Sequence, residues 1–224
     1  MNNSLLDNQR KAYSENFSKY GATPLGTYQN NLETQYLRFE RLIKNLRKDL
    51  ENTRIHDIGS GTCDFHRFLL ENNINHEYHG TEIVQEMIDF SLSVYPDIKL
   101  YNRDLLSVSD EMYDFNVLSG TLNISHDLDK KAWKEYSYNL VEKMFALSSK
   151  GIAFNFLSSY NTFTKEDLVY FDPREFLNFC IKKLSRFVII DQCYPLYEAT
   201  CTVFKKQFIR SVYKEKAFDK YFIH

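Results

Sequence analysis

The chain predicts an α/β fold: a doubly wound, mostly parallel sheet with a C-terminal antiparallel hairpin and an N-terminal helical lid. Three observations predict it. From residue 53 onward, short β-type runs alternate with helical stretches, which requires crossover connections and a parallel sheet. The stretch RIHDIGSGTCDF (54–65) reads as a buried strand, a glycine turn and a helix start. Gly59 and Gly61 fall where the chain reverses and where a ligand needs close access to backbone, which a residue without Cβ allows at least cost. The last two β runs, FVIID (187–191) and a run near Ala199–Phe208, have no helix between them, so they pair antiparallel.

Composition narrows the class. A 224-residue chain with 43% hydrophobic and 26% charged residues buries a sizeable core and is not disordered. A net charge of −2 gives no electrostatic footprint for nucleic acid or an anionic membrane. The N-terminal MNNSLLDNQRK has no apolar signal core, and no run approaches the ~20 apolar residues of a membrane span, so a cytoplasmic location is expected. The four cysteines (63, 180, 193 and 201) lack ligand spacing and read as reduced thiols, with no metal site expected.

In order, residues 1–28 read as a short helix and an irregular segment dotted with Tyr13, Phe17, Tyr20 and Tyr28. From Gln29 to Glu51, apolar residues at Leu32, Tyr36, Phe39, Ile43, Leu46 and Leu50 alternate in steps of four and three, the period of an amphipathic helix. After the glycine turn come a helix to about Asn73, a strand at 76–83, a helix over Val84–Tyr95 and a short strand at Ile98–Tyr101. A strand over Tyr113–Ser119, a long helix over Lys130–Ser149 and a strand at 151–157 follow. Asp172-Pro173 is an N-cap and first-turn pair opening a helix to about Leu184. The expected division is a lid over 1–52, a core over 53–208 and a tail over 209–224.

A doubly wound sheet binds ligands at the carboxyl ends of its strands, near the point where strand order reverses. Three loops converge there: the glycine turn, Glu82 after the second strand, and Asp104 after the third. Glu82 lies 21 positions beyond Gly61, close to the ~20 of an acid that grips ribose hydroxyls. Asp104, with the Leu105 backbone beside it, suits an exocyclic amine such as adenine's.

These residues resemble the class I S-adenosylmethionine-dependent methyltransferases. The matching pieces are DIGSGTC, TEI, NRDLL and YDFNVLSGTLN, and the resemblance spans residues 53 to about 208. It implies a seven-stranded sheet with the last strand antiparallel, and S-adenosylmethionine as cofactor with S-adenosylhomocysteine as product. It implies that Gly59, Ser60 and Gly61 approach the methionine part and Asp57 orders its amino group. Glu82 with Ile83 would hold the ribose, Asp104 and Leu105 the adenine, and Ser119 would complete the wall. One departure is Cys63, which stands where the family has a third glycine; its small side chain implies a shifted cofactor rather than a lost site. A dinucleotide-dependent oxidoreductase shares the turn and the ribose acid, but its fingerprint needs glycine where Asp64 stands, and it gives Asp104 no role.

For the acceptor, SGTLN (119–123) lacks the Asn/Asp-Pro-Pro-aromatic ending of nucleobase and glutamine amino-methylases, which leaves an O or N of a small molecule: a sugar derivative, an amine or a natural-product intermediate. His126, just past the fourth strand, is the candidate general base. Tyr13, Tyr20, Tyr28, Asn123 and Tyr160 are candidate acceptor contacts, and Arg38 is a candidate for the cofactor carboxylate. Histidines 56, 66, 76 and 79 read as structural. A non-catalytic cofactor-binding scaffold is the alternative from another class. The aromatic content of 16% is compatible with a homodimer without requiring one.

Overall fold

The computed structural model describes residues 2–126 and 129–223. The N-terminal segment is more helical than expected: α1 runs over Asn2–Tyr20 and ends where Gly21 turns left-handed at φ +61°. A single 3₁₀ turn, Pro24–Thr27, leads into α2 (Leu32–Ile43), whose N-cap Asn31 accepts a hydrogen bond from the Thr34 N–H at 2.9 Å. The expected 29–51 helix is therefore shorter, and its apolar repeat continues through a second 3₁₀ turn that buries Leu46 and Leu50 completely.

The core then alternates as predicted: β1 (Thr53–Ile58), α3 (Asp64–Glu71), β2 (His76–Glu82), α4 (Gln85–Val94), β3 (Lys99–Asn102), β4 (Tyr113–Leu118), α5 (Lys130–Ala146) and β5 (Ser148–Ser158). Next come β6 (Tyr170–Phe171), α6 (Pro173–Phe179), which continues as a π turn to Leu184, β7 (Val188–Asp191), β8 (Glu198–Phe204) and α7 (Lys206–Val212). Asp172 caps α6 by accepting from the Arg174 N–H at 2.8 Å, with Pro173 in the first turn. The last strand stops at Phe204 rather than 208, because the chain leaves the sheet at Lys205 and turns into α7.

The sheet order is β3-β2-β1-β4-β5-β8-β7, with β6 pairing beside the end of β5. β1 to β5 are parallel, and β8 inserts antiparallel between β5 and β7. That path carries seven strands, and the two-residue β6 makes an eighth. Period-two alternation splits the core across both faces. Ile55, Phe115, Val117 and Ala153 pack with α2 and α3 on one side, and Leu118, Ile152, Phe154 and Phe156 pack with α5 and α6 on the other. No helix among the described residues is long and apolar enough to cross a membrane.

Candidate active site

Strand order reverses between β1 and β4, so the loops leaving these two strands splay apart and open a crevice. A cavity open to solvent occupies that place. Asp57, Gly59, Ser60, Gly61, Glu82, Ile83, Asp104, Leu105 and Ser119 all line it. The three corners predicted from sequence do converge.

Each corner is held by its own chemistry. Gly59 has φ +70°, and a Cβ there would lie 2.3 Å from Thr121 Oγ1, so the turn admits no side chain. Gly61 has φ +54°, and its N–H donates to Glu82 Oε2 at 2.9 Å. The other Glu82 oxygen accepts from the Ile83 and Val84 N–H groups at 2.7 and 3.0 Å. Burial pushes the Glu82 carboxyl up from its ordinary range, and the three N–H donors pull it back down. Asp57 accepts the Tyr78 hydroxyl at 2.7 Å; burial, reinforced by the nearby Glu82 and Asp64, pushes its carboxyl up to about 7. Asp104 accepts from the Leu106 N–H at 3.0 Å and from the Tyr136 hydroxyl at 2.9 Å. Cys63, the residue in the third glycine's place, sits at φ +59° and is fully buried at the start of α3. It therefore adopts the glycine conformation itself, and burial raises its thiol to about 12.

The N-terminal segment closes the cavity from the other side. Leu6, Gln9 and Tyr13 of α1 line it, as do Thr27, Gln29 and Gln35. Gln9 Nε2 donates to the Ile124 carbonyl and Arg10 Nε to the Ile83 carbonyl, both at 3.0 Å, which ties α1 to the loops after β4 and β2. The Tyr13 phenol lies beside Glu82, and burial, reinforced by that carboxylate, holds it above its usual range.

Other expected site residues lie elsewhere. Arg38 is not on the cavity wall: its guanidinium meets Glu198 at 2.6, 2.8 and 3.0 Å and donates to Gln29 Oε1 at 2.6 Å. With both charges buried, the fork is committed to that carboxylate and does not reach a ligand. His126 packs against Tyr13 and Tyr28, ring centroids 5.2 and 4.9 Å away, and is outside the lining. Among the described residues no histidine lines the cavity. Tyr28 is exposed and donates to the Ala12 carbonyl at 3.2 Å, and Tyr20 is exposed beside Lys19. Asn123 is spent on the chain, its Oδ1 accepting the Leu157 N–H at 3.0 Å. Tyr160 is 52% exposed beneath the Arg174 guanidinium, away from the cavity.

Sequence reasoning missed Gln9, Gln29, Gln35, Thr121, Trp133 and Tyr136 on the wall. For Gln35 a signal existed. The buried stripe of α2 is Gln35, Arg38, Phe39, Leu42 and Ile43, so two polar residues at i and i+3 complete an otherwise apolar face. The apolar-only set put Leu32 on that face, and Leu32 is 42% exposed.

The fold, with its switch-point cavity and antiparallel β8, is that of the class I S-adenosylmethionine-dependent methyltransferases, which the chain resembles in both motif order and strand order. No family model matches the chain. Among curated proteins it is 27% identical over 155 residues to a Mycobacterium tuberculosis protein provisionally named a methyltransferase, covering 67% of this chain and 92% of that one. Among solved structures it is similar to magnesium protoporphyrin IX methyltransferase from Synechocystis PCC 6803 with bound S-adenosylhomocysteine: TM-score 0.65, 9% identity, 88% of this chain and 97% of that one. It is also similar to Burkholderia thailandensis 1,6-didemethyltoxoflavin-N1-methyltransferase, with TM-score 0.64, 12% identity and coverage of 90% and 89%.

Proposed function

We propose that this protein is an S-adenosylmethionine-dependent methyltransferase acting on an O or N of a small molecule in biosynthesis. The observation that carries the reading is the convergence of Asp57, the Gly59–Gly61 turn, Glu82 and Asp104 on one cavity. Their chemistry fits the cofactor: a Cβ-free cradle at the turn, a preset carboxylate for vicinal hydroxyls, and a second carboxylate beside buried Leu105 for an amino-purine. In the reading, Glu82 holds the ribose, Asp104 and Leu105 the adenine, and Asp57 and the glycines the methionine end.

The bound sulfonium supplies an already activated methyl group, so the protein's tasks are alignment and exclusion of water. Residues 1–52 act as the lid over the core at 53–208, with Leu6, Gln9 and Tyr13 covering the reacting end. The carboxylates on the wall are engaged by Tyr78, by backbone N–H groups, by Tyr136 and by Arg67. This favours an acceptor that needs no side-chain base, such as a neutral amine or an oxygen acid already ionised at neutral pH. The net charge of −2 and the lid-covered cavity support a small acceptor over nucleic acid. The two similar enzymes named above, for magnesium protoporphyrin IX and 1,6-didemethyltoxoflavin, accord with that class.

Calorimetry with S-adenosylhomocysteine, followed by methyl-release assays on candidate acceptors, tests the reading. Binding with turnover supports it; binding of NAD in place of S-adenosylhomocysteine overturns it. The lack of a histidine on the described wall also suits a cofactor-binding scaffold, which binding without turnover on any acceptor would favour.

A further inference from the structure

Gln35 presents a hydrogen-bond acceptor that the protein itself leaves unused. The residue is 5% exposed and lines the cavity beside Gly61, Asp64 and Phe39. Its Nε2 donates to Asp64 Oδ2 at 3.0 Å, and Asp64 is in turn held by Arg67 at 2.7 Å and by the Thr62 hydroxyl at 3.0 Å. That anchored donor fixes which way the amide faces, since only the nitrogen end of the Gln35 amide can donate to the Asp64 carboxylate. Gln35 Oε1 is then buried with no hydrogen-bond partner in the protein, an acceptor left for a ligand or an ordered water to complete.

The field around that oxygen selects the ligand's charge. Asp57, Asp64 and Glu82 line the same cavity, and Arg103, the lining arginine, is paired with Glu111. An orphan acceptor among carboxylates suits a cation with several N–H donors. Gln29 offers the complement: its Oε1 is taken by Arg38 at 2.6 Å, so its Nε2 is the free end, 3.0 Å from where a Cβ of Gly120 would stand. One amide thus shows an oxygen and the other an NH₂ group.

On the reading that the cavity holds S-adenosylmethionine, we propose that Gln35 accepts from the α-ammonium of its aminoacyl tail and Gln29 donates to its carboxylate. The segment expected to be a lid for the acceptor is by this assignment part of the cofactor site. It also replaces Arg38, which is committed to Glu198, as the residue for the carboxylate.

The test compares three probes by calorimetry on the full chain: S-adenosylhomocysteine, its analogue lacking the α-amino group, and 5′-methylthioadenosine, which has no aminoacyl tail. Wild-type protein and the variants Gln35→Met and Gln35→Asn are used, with thermal melts of the unliganded proteins as the check on folding. The expected result is a loss of about tenfold or more for S-adenosylhomocysteine in both variants, with the other two probes changed less than about twofold. A variant that fails to fold leaves the other to decide, and wild-type protein binding S-adenosylhomocysteine no better than the deaminated analogue overturns the proposal without any variant. Equal losses on all three probes would mean a structural role and would also overturn it. Wild-type protein binding none of the three sinks the cofactor reading, and this assignment with it.

Discussion

Removing one half of the buried Arg38–Glu198 pair is expected to be the most damaging single polar change in this protein. Arg38 is 8% exposed and Glu198 2%, and three N–O contacts between 2.6 and 3.0 Å join them. The pair ties α2 to β8, and it reaches further at both ends. Glu198 also accepts from Asn155 Nδ2 at 3.1 Å, and Asn155 Oδ1 accepts the Gly120 N–H of the cavity wall at 2.7 Å. Arg38→Met leaves a carboxylate buried with only the Asn155 amide to answer it, which costs about 3–5 kcal/mol. For a domain of this size that corresponds to a fall in Tm of roughly 6–20 °C. Glu198→Gln in the Arg38→Met background removes the stranded charge while keeping an acceptor for Asn155, so the double variant should regain about 1–3 kcal/mol over Arg38→Met alone. Urea denaturation of the wild type, both single variants and the double variant closes the cycle. If Arg38→Met costs less than about 1 kcal/mol, the pair behaves like a solvated surface bridge and the argument from burial is wrong.

Three further outcomes rest mainly on denaturant titrations. Asp57 holds its proton up to about pH 7 when folded, whereas an unfolded aspartate releases it near ~4. Between those values the folded state binds more protons, so stability should fall by a few kcal/mol as pH rises and level off above about 7. Asp57→Asn should abolish that slope in denaturant titrations from pH 4 to 8, and a variant with an unchanged slope would show that another group sets it. Cys63→Val forces a β-branched side chain into φ +59° and should cost about 2 kcal/mol or more, whereas Cys63→Gly should stay within about 1 kcal/mol; equal losses by urea titration would remove the backbone explanation. Glu82→Ala deprives the Gly61, Ile83 and Val84 N–H groups of their acceptor, with an expected cost of about 2 kcal/mol by the same titration and a measurable drop in adenosine affinity. A neutral result there would mean water replaces the carboxylate fully.

Much of this architecture was legible one residue at a time. Strand and helix alternation, the reversal at Gly59–Gly61, the spacing to Glu82 and the Asp172-Pro173 helix start are local facts, because turn geometry, capping and period-two burial act over a few residues. They sufficed for the sheet, for the hairpin and for the side of the sheet on which the cavity opens. They did not suffice for β6, a two-residue strand too short to carry a period, nor for α7, which begins inside an apparent β run.

What the tertiary structure alone decided is which polar side chains face the ligand and which face each other. Arg38 and Gln35 stand three positions apart on one helix, and nothing local distinguishes an arginine bound for a ligand from one bound for Glu198, 160 residues away. His126 was placed near the rim by sequence, yet its ring is packed against Tyr13 and Tyr28 from two other segments. Sequence determined the scaffold because hydrophobic period and backbone conformation are short-range. The partner of a charge is set by burial, and burial is known only once distant segments have come together.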